Sequence, residues 1–439
     1  MESSQASPLS KAPEGSNQIR IVGGNCLEGA IRISGSKNAA LPLMCACLLT
    51  DAPVRLSNVP VSLSDVTALA EVLRRLGVDV EIAGESSAIL HSLKVTSHKV
   101  HRELAKRLRS SVLVLGPLLA RHGKAEVAFP GGCPIGARPV DFHLNGLESM
   151  GATIELGDGL IRASAMNGLK GAVVNFPRVS VGATENIMMA ACLADGTTTM
   201  TNAAKEPQIV NLGEMLINMG ASIEGLGTGR ITVQGKAKLC GAAHAVIPDD
   251  VETATWMIAC CLTGGTLHLQ NTTLDHLESV VKPLQTAGLD IQDSGTVVTV
   301  HRSAGRMLSG SSITTEPHPG FPTDAQAPFM VLLTLCEGTN TVTETQFENR
   351  FLHVPELCKM GARIRVSGNS ALVTGVSRLG GRNVSAADLR GGAALVLAAL
   401  VADGETSIDG VHHIDRGYEN IVKKLRGCGA RIERIEDTM

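Results

Sequence analysis

Six short stretches of this chain share one pattern: an amphipathic segment closes on a glycine, and alternating apolar residues follow. They are LRRLGVDVEI, LESMGATIEL, LINMGASIEG, LQTAGLDIQD, LCKMGARIRV and LRGCGARIER, with glycines at 77, 151, 220, 288, 361 and 429. Successive gaps are 74, 69, 68, 73 and 68 residues. Each stretch reads as a helix end whose glycine takes the left-handed cap, then a strand with period-two alternation. Two or three matches could be chance. Six at a steady period of about 70 residues are a repeat, which limits the architecture before any single element is assigned.

A second marker stands upstream of each glycine. SGSKNAALPLMCACLLTD, LRSSVLVLGPLLARHG, SVGATENIMMAACLADG, DDVETATWMIACCLTGG, TDAQAPFMVLLTLCEG and ADLRGGAALVLAALVADG each open on small or polar residues and become apolar on most faces. A helix apolar all round has to be buried. Short strands such as TTTMTNA, TLHLQNT and TSIDGV come next, followed by the amphipathic helix. The predicted unit is strand, buried helix, strand, surface helix, strand, with a further strand in some units. Six units predict an α/β chain in two lobes of three, with helices inside and sheets outside. No GxGxxG follows a first strand and no GxxxxGK(S/T) occurs, so neither a Rossmann domain nor a P-loop is indicated. Parallel buried helices would bring their N-termini, with free N–H groups and partial positive charge, to one face of each lobe. Two such faces across a cleft would hold anions, lined by Lys37, Arg109, Ser180, Glu252, Asp324, Asp388 and Arg390.

Composition removes several function classes. Seven Phe, one Tyr and one Trp in 439 residues leave no aromatic platforms for stacking bases or sugars. A net charge of −3 gives no bulk positive field for nucleic acid. No run of 18 apolar residues predicts a membrane span, and the polar opening MESSQASPLSKAPEGSN lacks the apolar core of a secretory signal. Residues 1–17 read as a disordered tail. Eleven cysteines, several in apolar runs such as LPLMCACLL and MIACCL and none in a CxxC pair, fit a reducing, cytoplasmic setting. Trp256, Met188, Met189, Met215 and Met219 read as core, GLGTGR at Gly225 as a hairpin turn, and no His/Cys/Asp cluster has metal-ligand spacing, the pair His412–His413 included.

Lys37, Arg109, Arg138, Arg390 and Arg416 would suit a ligand carrying phosphate and carboxylate, because arginine forks pair bidentately with both. Cys133 sits in the turn-rich FPGGCPIGARP, where nearby Arg138 favours its thiolate; a bystander cysteine is the alternative. Asp324, between a Pro-punctuated loop and a buried helix, is either a helix N-cap or a base facing the cleft.

Beyond this, SGSKNAALPL, PGGCPIGARPVDFH, SVGATE, AAKEPQIV, PHPGFPTDAQAP, FENRFLHVPEL, ADLR and HHIDRGYE resemble, in collinear order from about Ile19 onward, the UDP-N-acetylglucosamine 1-carboxyvinyltransferase family of the EPSP synthase superfamily. The resemblance implies two inside-out α/β barrel domains built from six βαβαββ-like repeats, three per domain. One domain would comprise residues 18–36 and 248–439, and the other 37–247 with a catalytic loop at about 129–139. The implied reaction moves the enolpyruvyl group of phosphoenolpyruvate to the 3-hydroxyl of UDP-N-acetylglucosamine, releasing phosphate, as the first committed step of peptidoglycan synthesis. No cofactor or metal is implied.

By motif, Lys37 and Asn38 match residues binding phosphoenolpyruvate and substrate, and Cys133 matches the general acid that fosfomycin modifies covalently. Arg109, Arg138 and Arg416 match the arginines holding phosphate and carboxylate. Asp324 matches the base at the sugar hydroxyl, and Asp388 with Arg390 a pair supporting the reacting centre. Arg138, Pro139, Val140, Asp141 and Phe142, with Ser180, Val181 and Gly182, match the uridine and diphosphate cradle. Gln346 and Asn349–Arg350 fall near the sugar. Asp250 stands where many members are basic, and Gln346 and Phe142 where most are aliphatic, so the exact nucleotide sugar stays open. The alternatives are EPSP synthase itself, whose LGNAGT motif is absent here, a paralogue acting on another nucleotide, and a non-catalytic nucleotide-sugar sensor.

Overall fold

The computed structural model describes residues 17–131, 135–136, 140–303, 305 and 307–435. Residues 1–16 of the expected tail lie outside that set, as do Cys133, Arg138 and Pro139. All six repeat glycines take positive φ, between 91° and 101°, a region that costs glycine little because it has no Cβ. The hairpin expected at GLGTGR joins Ser222–Glu224 to Arg230–Gln234.

Among the described residues there are six four-stranded sheets and one small two-stranded sheet, Leu379–Gly380 with Ala402–Asp403. Five share one plan. The strand after a buried helix pairs antiparallel with the second strand of a hairpin and, on its other side, parallel with an edge strand; in the sixth, Gln18–Val22 from the start of the chain takes the hairpin strand's place. In one sheet Val54–Ser57 pairs antiparallel with Ser87–His91 and parallel with Ala243–Ala245. The start of the chain completes two sheets of the C-terminal half. Gln18–Val22 lies between Glu405–Asp409 and Arg431–Ile435, and Leu27–Arg32 runs parallel to Gly265–Gln270.

Buried apolar residues form two clusters, one drawn from residues 39–246 and the other from residues 19–33 and 254–432. In the second, the helices Asp250–Thr263, Thr323–Thr334 and Leu389–Val401 pack on one another, and all three are apolar around nearly their whole circumference. Trp256 is fully buried there, its indole N–H donating to Glu252 Oε1 at 3.0 Å. In the first, Leu115–His122 packs on Val181–Ala191, and a 3-10 turn, Arg109–Val114, touches both Val181–Ala191 and Lys37–Ala46. The expected continuous helix at LRSSVLVLGPLLARHG is therefore split. Pro117 falls in the first turn of the α-helical part, where its missing N–H leaves no bond unmade.

The chain crosses between the cores twice, side by side. Gly35 and Pro248 form an antiparallel bridge, Ser36 N–H donates to Ile247 O at 2.7 Å, and Asp249 N–H donates to Ser34 O at 2.9 Å. We propose the domain boundaries at this double crossing. It starts two buried helices from one point, Lys37–Ala46 in one core and Asp250–Thr263 in the other. A Cβ on Gly35 would fall 1.7 Å from the Asn58 carbonyl oxygen, a backbone atom that cannot turn aside. Gly35→Ala is expected to destabilise the protein by about 2–3 kcal/mol through overpacking, read as a lowered Tm, and to displace Lys37 with the crossing.

Candidate active site

The helix starts carry polar groups that meet across the two cores. Ser36 caps Lys37–Ala46 and Asp249 caps Asp250–Thr263, its Oδ1 accepting from Glu252 N–H at 2.8 Å. Asp249 Oδ2 also accepts from the Lys37 backbone N–H at 3.4 Å, so the cap of one core's helix contacts the first residue of the other's.

Two ion clusters sit at this junction. In one, Asp65 is 4% exposed and accepts from Lys37 Nζ at 3.1 Å and Arg416 Nε at 2.9 Å. Burial alone would raise the Asp65 pKa, but Lys37 and Arg416 outweigh it and hold the carboxyl below its ordinary value. Lys37 and Asp65 come from the first core and Arg416 from the second, so the cluster ties the cores together.

In the other, Asp324 is the second residue of its helix and does not cap it. Its Oδ1 accepts from Arg350 Nη2 at 2.5 Å and its Oδ2 from Arg390 Nη2 at 2.9 Å. Both arginine side chains are 4% exposed. Burial pushes the Asp324 pKa up, but Arg390, Arg350 and the nearby charge of Lys37 drive it far below the carboxylate range. The N-cap alternative is thus not realised at Asp324. It is realised at Asp388, whose Oδ1 accepts from the Arg390 and Gly391 N–H groups, each at 3.0 Å. The Arg390 side chain accordingly pairs with Asp324, and its guanidinium lies 5.4 Å over the Tyr418 ring.

The remaining expected residues fall into two groups. Asn38 is half-buried beside Lys37, and Arg109 opens its 3-10 turn. Val140, Asp141 and Phe142 lie at the start of the Asp141–Ser149 helix, with Arg178 stacked 5.5 Å over the Phe142 ring. Ser180 caps Val181–Ala191, its Oγ accepting from Ala183 N–H at 3.4 Å. Gly182 lies against His143, whose ring would be 3.2 Å from an added Cβ, and His143 Nδ1 bonds Asn186 Nδ2 at 3.0 Å. These two helix starts therefore adjoin. Gln346 is turned onto its own neighbours, Nε2 donating to Thr345 Oγ1 at 3.0 Å.

Three participants carried no sequence signal. Asp65 in LSDVTALAEV looks like any acidic residue in the first turn of a surface helix. Asp249 looks like an ordinary cap. His353, 2% exposed, lies near Arg350 and Asp388; burial and the Arg350 charge outweigh Asp388 and lower its pKa to about 4. Among the described residues no group of three or more His, Cys, Asp or Glu could hold a metal ion, and no helix is long and apolar enough to cross a membrane.

The family model for EPSP synthase (3-phosphoshikimate 1-carboxyvinyltransferase) matches residues 21–425. UDP-N-acetylglucosamine 1-carboxyvinyltransferase of Rhodospirillum centenum is 50% identical over 432 residues, covering 96% of this chain and 100% of the relative. That of Dinoroseobacter shibae is 51% identical over 423 residues, covering 96% and 100%. Among solved structures, the enolpyruvyl transferase NikO from Streptomyces tendae superposes with a TM-score of 0.87 at 25% identity, over 97% of this chain and 100% of that one. EPSP synthase from Acinetobacter baumannii shares the fold, with a TM-score of 0.73 at 19% identity over 96% and 100%. Matched by the family model over nearly its whole length, and half identical end to end to these curated relatives, the chain belongs to the EPSP synthase family.

Proposed function

We propose that this chain transfers the enolpyruvyl group of phosphoenolpyruvate to the 3-hydroxyl of UDP-N-acetylglucosamine, releasing phosphate, in the cytoplasm. The observation that carries the proposal is end-to-end identity of about one half with enzymes bearing that name. The charged clusters support it, since Lys37 and Arg416 share Asp65 and the charge of Lys37 reaches Asp324.

An enol ether does not accept an alcohol until its methylene carbon is protonated, so the site needs an acid and a base on opposite sides. Cys133 would donate that proton, and Asp324 would take the proton of the sugar hydroxyl as the C2–O bond forms. In the second half the C2–O bond to phosphate breaks, the thiolate recovers the methyl proton to restore the double bond, and phosphate leaves. Lys37, Arg109, Arg138 and Arg416 would hold the phosphate and carboxylate and offset the charge that leaves with them. The Ser180-capped helix start offers free N–H groups to a diphosphate.

The test is phosphate release from phosphoenolpyruvate with UDP-N-acetylglucosamine, against UDP and UMP as acceptors. Release with the sugar nucleotide alone is expected, blocked by fosfomycin and with Cys133→Ser no longer labelled. Equal release with UDP or UMP would favour a paralogue with another acceptor, and none at all a non-catalytic protein.

A further inference from the structure

Glu344 follows the strand Thr339–Thr343 and is 2% exposed, yet the proposed chemistry gives it no part. Its carboxylate is met by hydroxyls and backbone N–H groups. Oε1 accepts from Thr315 Oγ1 at 2.9 Å, from the Gln346 N–H at 2.7 Å and from the Phe347 N–H at 3.2 Å. Oε2 accepts from Thr323 Oγ1 at 2.9 Å. An enclosed carboxylate is costly unless its lone pairs are satisfied, so the groups that satisfy it are held to one arrangement.

Those groups lie on three segments that meet at Asp324. Thr323 is the first residue of the Thr323–Thr334 helix, and Asp324 is the next. Gln346 and Phe347 begin the turn that leads to Arg350, whose guanidinium lies 5.7 Å over the Phe347 ring. Arg350 Nη2 donates to Asp324 Oδ1 at 2.5 Å and to the Thr323 carbonyl at 3.4 Å. Thr315 braces the same turn, its Oγ1 accepting from the Thr345 N–H at 2.9 Å. The contacts close a ring: Glu344 to Thr323, along the chain to Asp324, across to Arg350, and back through the turn to Glu344. Arg390 reaches Asp324 from a different helix, so the ring is what fixes Asp324 against the turn.

We propose that Glu344 is a positioning residue that acts through Asp324 and Arg350, holding the base where it can take the proton of the acceptor hydroxyl. Glu344 itself touches no substrate and moves no proton. The proposal rests on Asp324 being the base.

The experiment measures kcat and KM for both substrates in Glu344→Ala, Glu344→Gln and Thr323→Val, alone and combined with Asp324→Asn. Glu344→Ala should lower kcat about a hundredfold, the cost of a displacement near 1 Å in a pre-organised site. KM for phosphoenolpyruvate should stay within about threefold, since the lost interaction serves the transition state. Glu344→Gln keeps an oxygen for Thr315, Gln346 and Phe347 and offers its amide N–H to Thr323 Oγ1. Its kcat should therefore stay within about twofold of wild type. Thr323→Val removes one bond to Glu344 and should cost about tenfold in kcat; it replaces Glu344→Ala should the alanine variant fold poorly. Added to Asp324→Asn, either change should cost less than about threefold more, because an absent base has no position to lose. Losses that multiply in the double variant, a kcat per folded molecule equal to wild type in the single variants, or a glutamine variant as slow as the alanine one would each overturn the proposal. Failure of the base reading looks different and takes the proposal with it: Asp324→Asn alone would then keep near wild-type turnover.

Discussion

Asparagine in place of Asp324 is expected to lower kcat by about 10³-fold, within the range that a positioned acid or base contributes. The side chain keeps its shape but can no longer accept a proton, and the sugar hydroxyl must attack unassisted. Arg350 and Arg390, each 4% exposed, also lose their shared counter-charge, so the variant should lose about 3 kcal/mol of stability as well. Two readouts separate the effects. Thermal unfolding reports the lost ion pairs, and deuterium uptake from D2O into the methylene of phosphoenolpyruvate reports whether protonation at that carbon persists. Persistent uptake with no transfer is the expected signature of a missing base. Loss of both would point to a collapsed site instead.

Asp65→Ala should be the second most damaging change, although Asp65 touches neither substrate in the proposed scheme. Its carboxylate is the shared partner of Lys37 at 3.1 Å and Arg416 at 2.9 Å, groups from different cores. Without it two like charges face each other at the junction. About 3 kcal/mol of stability and about a hundredfold of kcat/KM for phosphoenolpyruvate should be lost, since displacements near 1 Å cost that much in a pre-organised site. Urea denaturation and steady-state kinetics measure the two losses. The pH dependence is fixed in sign. Asp65 has a folded pKa held below its ordinary value, so its contribution is present above about pH 4, is lost as pH falls through the depressed value, and is absent from the alanine variant at every pH. The stability difference between wild type and Asp65→Ala should therefore shrink on acidification. A gap that stays constant down to pH 3 would contradict the ion-pair account.

Local features were legible wherever chemistry forces local geometry. Gly77 and its five counterparts were readable because a helix that stops and reverses into a strand needs positive φ, and glycine supplies it at little cost. The buried helices were readable because AALVLAALV has no polar face to offer water. Lys37, Asp324, Arg390 and Arg416 were legible as candidates from their charge at helix starts and from their motifs. What each one pairs with was not. Asp388 and Arg390 look like neighbours in ADLR, yet one caps its helix while the other reaches Asp324, 66 residues away.

The sequence alone determined a periodic α/β chain with buried helices and a set of placed charges, because periodicity, capping and burial act over a few residues at a time. Only the tertiary structure decided that Asp65 is the common partner of Lys37 and Arg416, and that the Asp249 cap touches the start of the Lys37 helix. Those relations depend on two crossings laid side by side at Gly35 and Pro248, a contact spanning more than 200 residues of chain. Charge pairing is set by distance in space, and distance in space is what a linear pattern does not carry.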